Sequence, residues 1–140
     1  MKYSLRQVIG LIVWWTEGSK AYKRKEYKNT WVYNVEVTNT NSEIIKVFLS
    51  FLRNDVGLDE SRLKLQLQIH EGDNQEEIEN FWSKLTKIPK NRFTKTIVRP
   101  TGNKIGKSRG TCKVRYSDKQ RYLILDSLLK DLLIQANNGV

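Results

Sequence analysis

The sequence holds one cysteine, Cys112, one histidine, His70, and two prolines in 140 residues. A single thiol excludes an internal disulfide, and one cysteine with one histidine excludes zinc sites built from several such ligands. A Ser-His-Asp triad would have to rest on His70 alone, so any chemistry falls to carboxylates and lysines. Long apolar runs are also missing. None approaches the roughly 20 residues that span a bilayer, and no membrane partner is expected. At the N-terminus, Trp14, Trp15 and Glu17 stand where the small cleavage-site residues of a signal peptide belong. The expectation is a cytoplasmic protein with one domain over 1–140.

Positive charge is abundant. The chain carries 25 Lys and Arg against 15 Asp and Glu, a formal net charge of +10. Such a field attracts polyanions, and nucleic acid is the first partner to expect. A ribosome-associated or merely soluble basic protein is the plainer alternative.

Along the chain, Val8, Ile9, Leu11, Ile12, Val13, Trp14 and Trp15 are nearly continuous, which predicts a central helix from Leu5 to Thr16, buried on most of its circumference. Glu17-Gly18-Ser19 ends it, with Gly18 expected in the left-handed conformation. Lys20 to Asn29 and Trp31 to Val37 read as a basic hairpin whose second arm is a half-buried strand. A helix follows at about 42–56. Leu63, Leu65, Leu67 and Ile69 then alternate with Lys64, Gln66, Gln68 and His70 as a strand with one polar face. Asp73-Asn74 caps a third helix that ends near Pro89. Strands are expected at 93–99 and 110–116, joined by a glycine-rich basic loop. The last helix, about 117–135, points Tyr122, Leu123, Leu125, Leu128, Leu129 and Leu132 at the core. Trp31, Phe48, Phe51 and Trp82 are expected in the core, and Cys112 in the core or on a strand face. The order implies an α+β domain, with helices on one face of an antiparallel sheet whose other face is free.

The run Val8 to Ser19, ending Glu17-Gly18-Ser19, resembles the signature helix of the LAGLIDADG homing endonucleases, with Glu17 on the terminal acid. Ile12 takes the place of the motif glycine, and Trp14 and Trp15 stand where Ile and Asp are typical. Residues 39–59 and the following RLKLQLQIHEGDNQEEIENFWSKLTKIP are similar to small LAGLIDADG-like proteins with a degenerate motif. The resemblance implies an αββαββα fold with a saddle-shaped antiparallel sheet, here with one extra helix at about 74–87. It implies a homodimer paired through the helix at 8–18, double-stranded DNA as partner and Mg²⁺ as cofactor. Glu17, with Gly18 beside it, would hold the metal. Lys113, Arg115 and Lys119 lie where the family places a basic residue that activates water or stabilises the leaving group. Apart from the family, an acid in a helix's last turn is disfavoured by the dipole, and a cation facing phosphate would compensate it.

For DNA contact, Lys20, Tyr22, Lys23, Arg24, Lys25, Tyr27 and Lys28 form a basic, tyrosine-bearing stretch suited to phosphates and grooves. Arg62, Lys64, Gln66 and Gln68 are long enough for base edges, Lys for guanine and Gln for adenine. Lys104, Lys107 and Arg109 offer phosphate contacts from a loop that lacks the order of a P-loop. A solvated hairpin and an ordinary polar strand face are the plain readings of the same residues. Three functions follow: a metal-dependent homing endonuclease associated with introns, a catalytically silent DNA-binding regulator, and an RNA-binding splicing cofactor.

Overall fold

A computed structural model describes residues 2–24, 30–100 and 109–138. Helix α1 (Leu5–Glu17) starts at Ser4, whose hydroxyl accepts the Gln7 N–H while the Gln7 side chain accepts the Ser4 N–H. Two of the helix's orphan donors are satisfied in this way. After it come β1 (Tyr22–Lys23), β2 (Trp31–Val32), β3 (Asn34–Asn39), α2 (Ser42–Phe51), β4 (Lys64–His70), α3 (Gln75–Thr86), β5 (Ile97–Arg99), β6 (Thr111–Ser117) and α4 (Lys119–Asn137). Asn41, Asn74 and Asp118 cap α2, α3 and α4 through their side-chain oxygens.

The main sheet has the order β3-β6-β4-β5. β6 pairs antiparallel with both β3 and β4, but β5 runs parallel to β4. The domain is α+β with a mixed sheet, which corrects the all-antiparallel expectation. The cause is α3, which carries the chain from β4 back to the end where it began, and a helical crossover returns a strand in the same direction. β5 is also shorter than expected. Of the residues before it, Phe93 makes one bridge to Leu65.

Val35, Val37, Leu65, Leu67, Ile69, Cys112, Val114 and Tyr116 form the covered face of the sheet, packed with Trp14, Phe48, Phe51 and Trp82 in one core. Two expected core residues are elsewhere. Trp31 is 51% exposed, because β1 and β2 form a separate two-stranded ribbon rather than part of the covered sheet. Leu123 is 46% exposed, while Tyr122, Leu125 and Leu129 hold the buried side of α4. The predicted helix at 42–56 is α-helical to Phe51 and then widens into a π-helical turn, Leu52–Val56.

Helix α1 departs most from expectation. It touches α2, α4 and β3, and it buries only Gly10, Leu11 and Trp14. Leu5, Ile9, Ile12 and Trp15 are 72%, 39%, 38% and 46% exposed. The first three recur at helical spacing, so they form one outer stripe. Gly10 faces inward instead: a Cβ there would stand 2.3 Å from Cγ of the buried Phe51. Its lack of a side chain lets α1 close on α2. No helix among the described residues is long and apolar enough to cross a membrane.

Candidate nucleic-acid interface

Alternation along β3, β6 and β4 sends every second side chain away from the core. The register then places Glu36 and Lys64 on either side of Arg115, Thr38 and Gln66 on either side of Lys113, and Gln68 beside Thr111. Three cations and two amides thus share one open face. Glu36 is the one carboxylate among the described strand residues of that face, and it is only 9% exposed. The Ser19 hydroxyl donates to its Oε1 and Arg115 Nε to its Oε2, both at 2.7 Å. Burial alone would push this carboxyl up, but the Ser19 hydroxyl, Arg115 and Lys113 overcome that and hold it below its ordinary value.

That direction has a consequence for stability. The unfolded carboxyl titrates near about 4.3, and the folded one lower. The stabilisation is therefore complete above the unfolded value and is lost as pH falls through the folded one. Glu36→Gln is expected to be less stable than wild type near neutral pH, with the gap closing as pH falls below the unfolded carboxyl's range and through the lower folded value. Urea titrations across that range check this. A gap that does not change with pH would mean that Glu36 acts through packing alone.

Glu17 is the last residue of α1, exposed, and without an ion-pair or hydrogen-bond partner among the described residues. Lys20 does not pair with it. Its Nζ lies 3.5 Å from the Trp15 carbonyl and 5.5 Å over the Trp14 ring. Gly18 is extended, at φ −80° and ψ 150°, rather than left-handed. Glycine is needed there for space, since a Cβ would stand 2.2 Å from the Trp14 carbonyl oxygen. Gly18 bridges Val37, and Ser19 N–H donates to the Glu36 carbonyl at 3.2 Å. The chain therefore leaves α1 along the β3 edge, and the Ser19 side chain reaches the polar face two residues after Glu17.

The other candidates divide. Lys119 opens α4 with its Nζ 5.5 Å over the Tyr33 ring. Arg62 lies not on the strand but in the 3-10 turn Glu60–Arg62, its guanidinium 3.4 Å from Asp118 and bonded to the Ser117 carbonyl. Tyr22 and Arg24 join Arg62, Arg115 and Lys119 around an open groove of about 590 Å³ at one end of the face. Lys23 is paired with Trp31 and Tyr22 with Val32, so alternation turns Lys23 to the opposite side of the ribbon from Tyr22. Gln66 donates to the Lys95 carbonyl at 3.0 Å, which occupies part of its amide, and Gln68 is half-buried. Arg109 is not brought to the face. Its guanidinium lies 4.2 Å over Phe81 of α3, and its carbonyl accepts from Trp82 Nε1 at 2.7 Å. Lys25, Tyr27, Lys28, Lys104 and Lys107 lie outside the described residues.

Sequence reasoning missed Ser19 and Glu36 as site residues. The available signal was a lone acid between Val35 and Val37 on an alternating strand.

Fold and site together define an α+β domain with helices behind a mixed sheet and a basic, amide-bearing face in front. No protein-family model, curated protein or solved structure matches the chain.

Proposed function

We propose that this chain binds double-stranded DNA through its open sheet face, as a homodimer of LAGLIDADG-like subunits, and hydrolyses a phosphodiester there with Mg²⁺. The observation that carries the binding part is the register that groups Lys64, Lys113 and Arg115 around one neutralised carboxylate. Phosphates meet little repulsion on such a surface, and the side chains between the cations have donors and acceptors for base edges. Tyr22, Arg24, Arg62 and Lys119 extend the surface into the groove at its end.

The dimer reading is supported by the outer stripe of α1, on which Leu5, Ile9 and Ile12 are exposed apolar side chains on the helix that ends at Glu17. Glu17 suits a divalent cation because its carboxylate is exposed and unpaired among the described residues. No group of three or more His, Cys, Asp or Glu lies together among those residues. Holding a cation therefore requires Glu17 from each subunit, with phosphate oxygens completing the shell. Bound there, Mg²⁺ would supply charge stabilisation at the phosphate and an activated water. Lys113 is placed to hold a phosphate, while Arg115 is fixed by Glu36 and shapes the face.

One observation favours a second reading, DNA binding without cleavage. Ile9, Ile12 and Trp15 put bulk on the face where close helix approach would need small residues.

Salt-dependent gel shifts test the binding. Log affinity for duplex DNA should fall linearly with log salt, and Lys64→Gln and Lys113→Gln should each reduce the slope by about one. Equal slopes in wild type and variants would remove the sheet face from the interface. Tighter binding of a structured RNA than of any duplex would transfer the same face to RNA.

A further inference from the structure

A second cation-lined cavity lies away from the sheet face, among the helices. Its volume is about 580 Å³, and its walls include Lys46 and Leu49 of α2, Arg53 of the π-helical turn, Glu60, Lys87 after α3, and Arg92 of the 3-10 turn Lys90–Arg92. Four separate stretches of chain thus deliver four cations and one carboxylate to one space.

Glu60 is already engaged. Arg53 donates to both of its oxygens, through Nε and Nη2. Arg92 receives little from it: the nearer contact is Nη1 to Oε2 at 3.8 Å, too long for a hydrogen bond. That Nη1 is sealed from solvent without an acceptor, and the Arg92 side chain is only 20% exposed. Among the described residues its guanidinium makes no hydrogen bond. Lys46 and Lys87 have no ion-pair partner among those residues either. Lys87 stands at φ 60°, left-handed, the one non-glycine residue so placed among those described.

Helix dipoles explain part of this arrangement. Arg53 and Lys87 sit at helix C-terminal ends, where a cation offsets the dipole. They do not explain Lys46, in the middle of α2, or a largely buried arginine left without an acceptor. Removing a guanidinium from water is unfavourable unless an anion meets it, and Glu60, already shared with Arg53, meets Arg92 only as a 3.8 Å ion pair without a hydrogen bond. The cavity beside Arg92 has room for that anion and for a small organic group attached to it.

We propose that this cavity binds a phosphate dianion, free or esterified to a small molecule, held by Lys46, Lys87 and Arg92. Lysine supplies point charges, and the planar guanidinium can face two phosphate oxygens at once. None of the sheet-face candidates lines the cavity, so the proposal is independent of DNA binding.

Calorimetric titration of the full chain at low salt, with inorganic phosphate in one arm and adenosine monophosphate in the other, tests it. One site per chain is expected. Tighter binding of the nucleotide would assign the remaining volume to an organic group, and equal binding would assign the site to phosphate alone. Arg92→Met, and separately the pair Lys46→Gln with Lys87→Gln, should weaken binding by about tenfold or more. Lys64→Gln with Lys113→Gln on the sheet face should leave it within about twofold. Arg92→Met should also melt close to wild type, since all it breaks is a 3.8 Å ion pair without a hydrogen bond; a purely structural arginine would lower the melting temperature. Failure of both probes to bind, or loss of binding in the sheet-face variant but not in the cavity variants, overturns the proposal.

Discussion

Glu17→Gln is expected to stop DNA cleavage while leaving duplex affinity within about twofold of wild type. Glutamine keeps the shape of the side chain and the helix end, and Glu17 makes no contact among the described residues that the change would break. What it removes is the charge that a divalent cation needs. Charge stabilisation by such a metal is worth several kcal/mol, so the rate should fall by about a thousandfold. Affinity should not fall with it, because a carboxylate beside a phosphate adds repulsion, which the amide relieves. Ile12→Arg provides the complementary measurement. It charges the outer stripe of α1 without entering the core, so if the proposed dimer forms there, sedimentation should show monomers of the variant, and cleavage should vanish with the proposed dimer. A Glu17→Gln variant that cuts at the wild-type rate removes Glu17 from the metal site. If the wild-type protein cuts no duplex yet binds one, the silent-binder reading replaces the enzyme.

Strong local signals carried most of the fold into the sequence. β4 is the plainest case, since Leu65, Leu67 and Ile69 against Lys64, Gln66 and Gln68 give both the strand and its polar face. Asn41, Asn74 and Asp118 mark helix starts through chemistry that acts over three residues. Long-range facts were harder to see. Nothing within residues 93–99 says that β5 pairs with β4 in parallel, because pairing direction is set by where α3 delivers the chain. The apolar run of α1 also reads identically whether its outer side meets this chain or another molecule, so burial on most sides was a fair inference that the isolated subunit contradicts. Of the site, the cations of β4 and β6 were visible one by one. Their grouping around Glu36 depends on the β3-β6-β4 register, which sets Arg115 between Lys64 and Glu36, 51 and 79 positions away in sequence, and has no local signature.

Trp14 carries the second large expectation, since the end of α1 depends on it for both packing and hydrogen bonding. The side chain is 1% exposed, and its ring meets Tyr122 of α4 edge-on at 5.4 Å. The Tyr122 hydroxyl accepts the Ala21 N–H at 2.8 Å, so this pair joins α1, α4 and the start of the ribbon. The Trp14 carbonyl accepts the Gly18 N–H that closes the helix beside Glu17. Trp14→Ala should therefore cost about 3–5 kcal/mol, a large share of the roughly 5–15 kcal/mol that holds a domain folded. The melting temperature should fall by on the order of 10 °C. Trp14→Phe separates shape from polarity. Indole Nε1 is buried without an acceptor, and leaving a donor unmet costs about 1–3 kcal/mol. Phenylalanine loses some contact area but removes that donor, so the two changes offset and the variant should lie within about 1–2 kcal/mol of wild type. Urea unfolding of the three proteins measures both. If Trp14→Ala unfolds within about 1 kcal/mol of wild type, the α1 end is not held by this packing. The position of Glu17 would then have to be set by something other than this core.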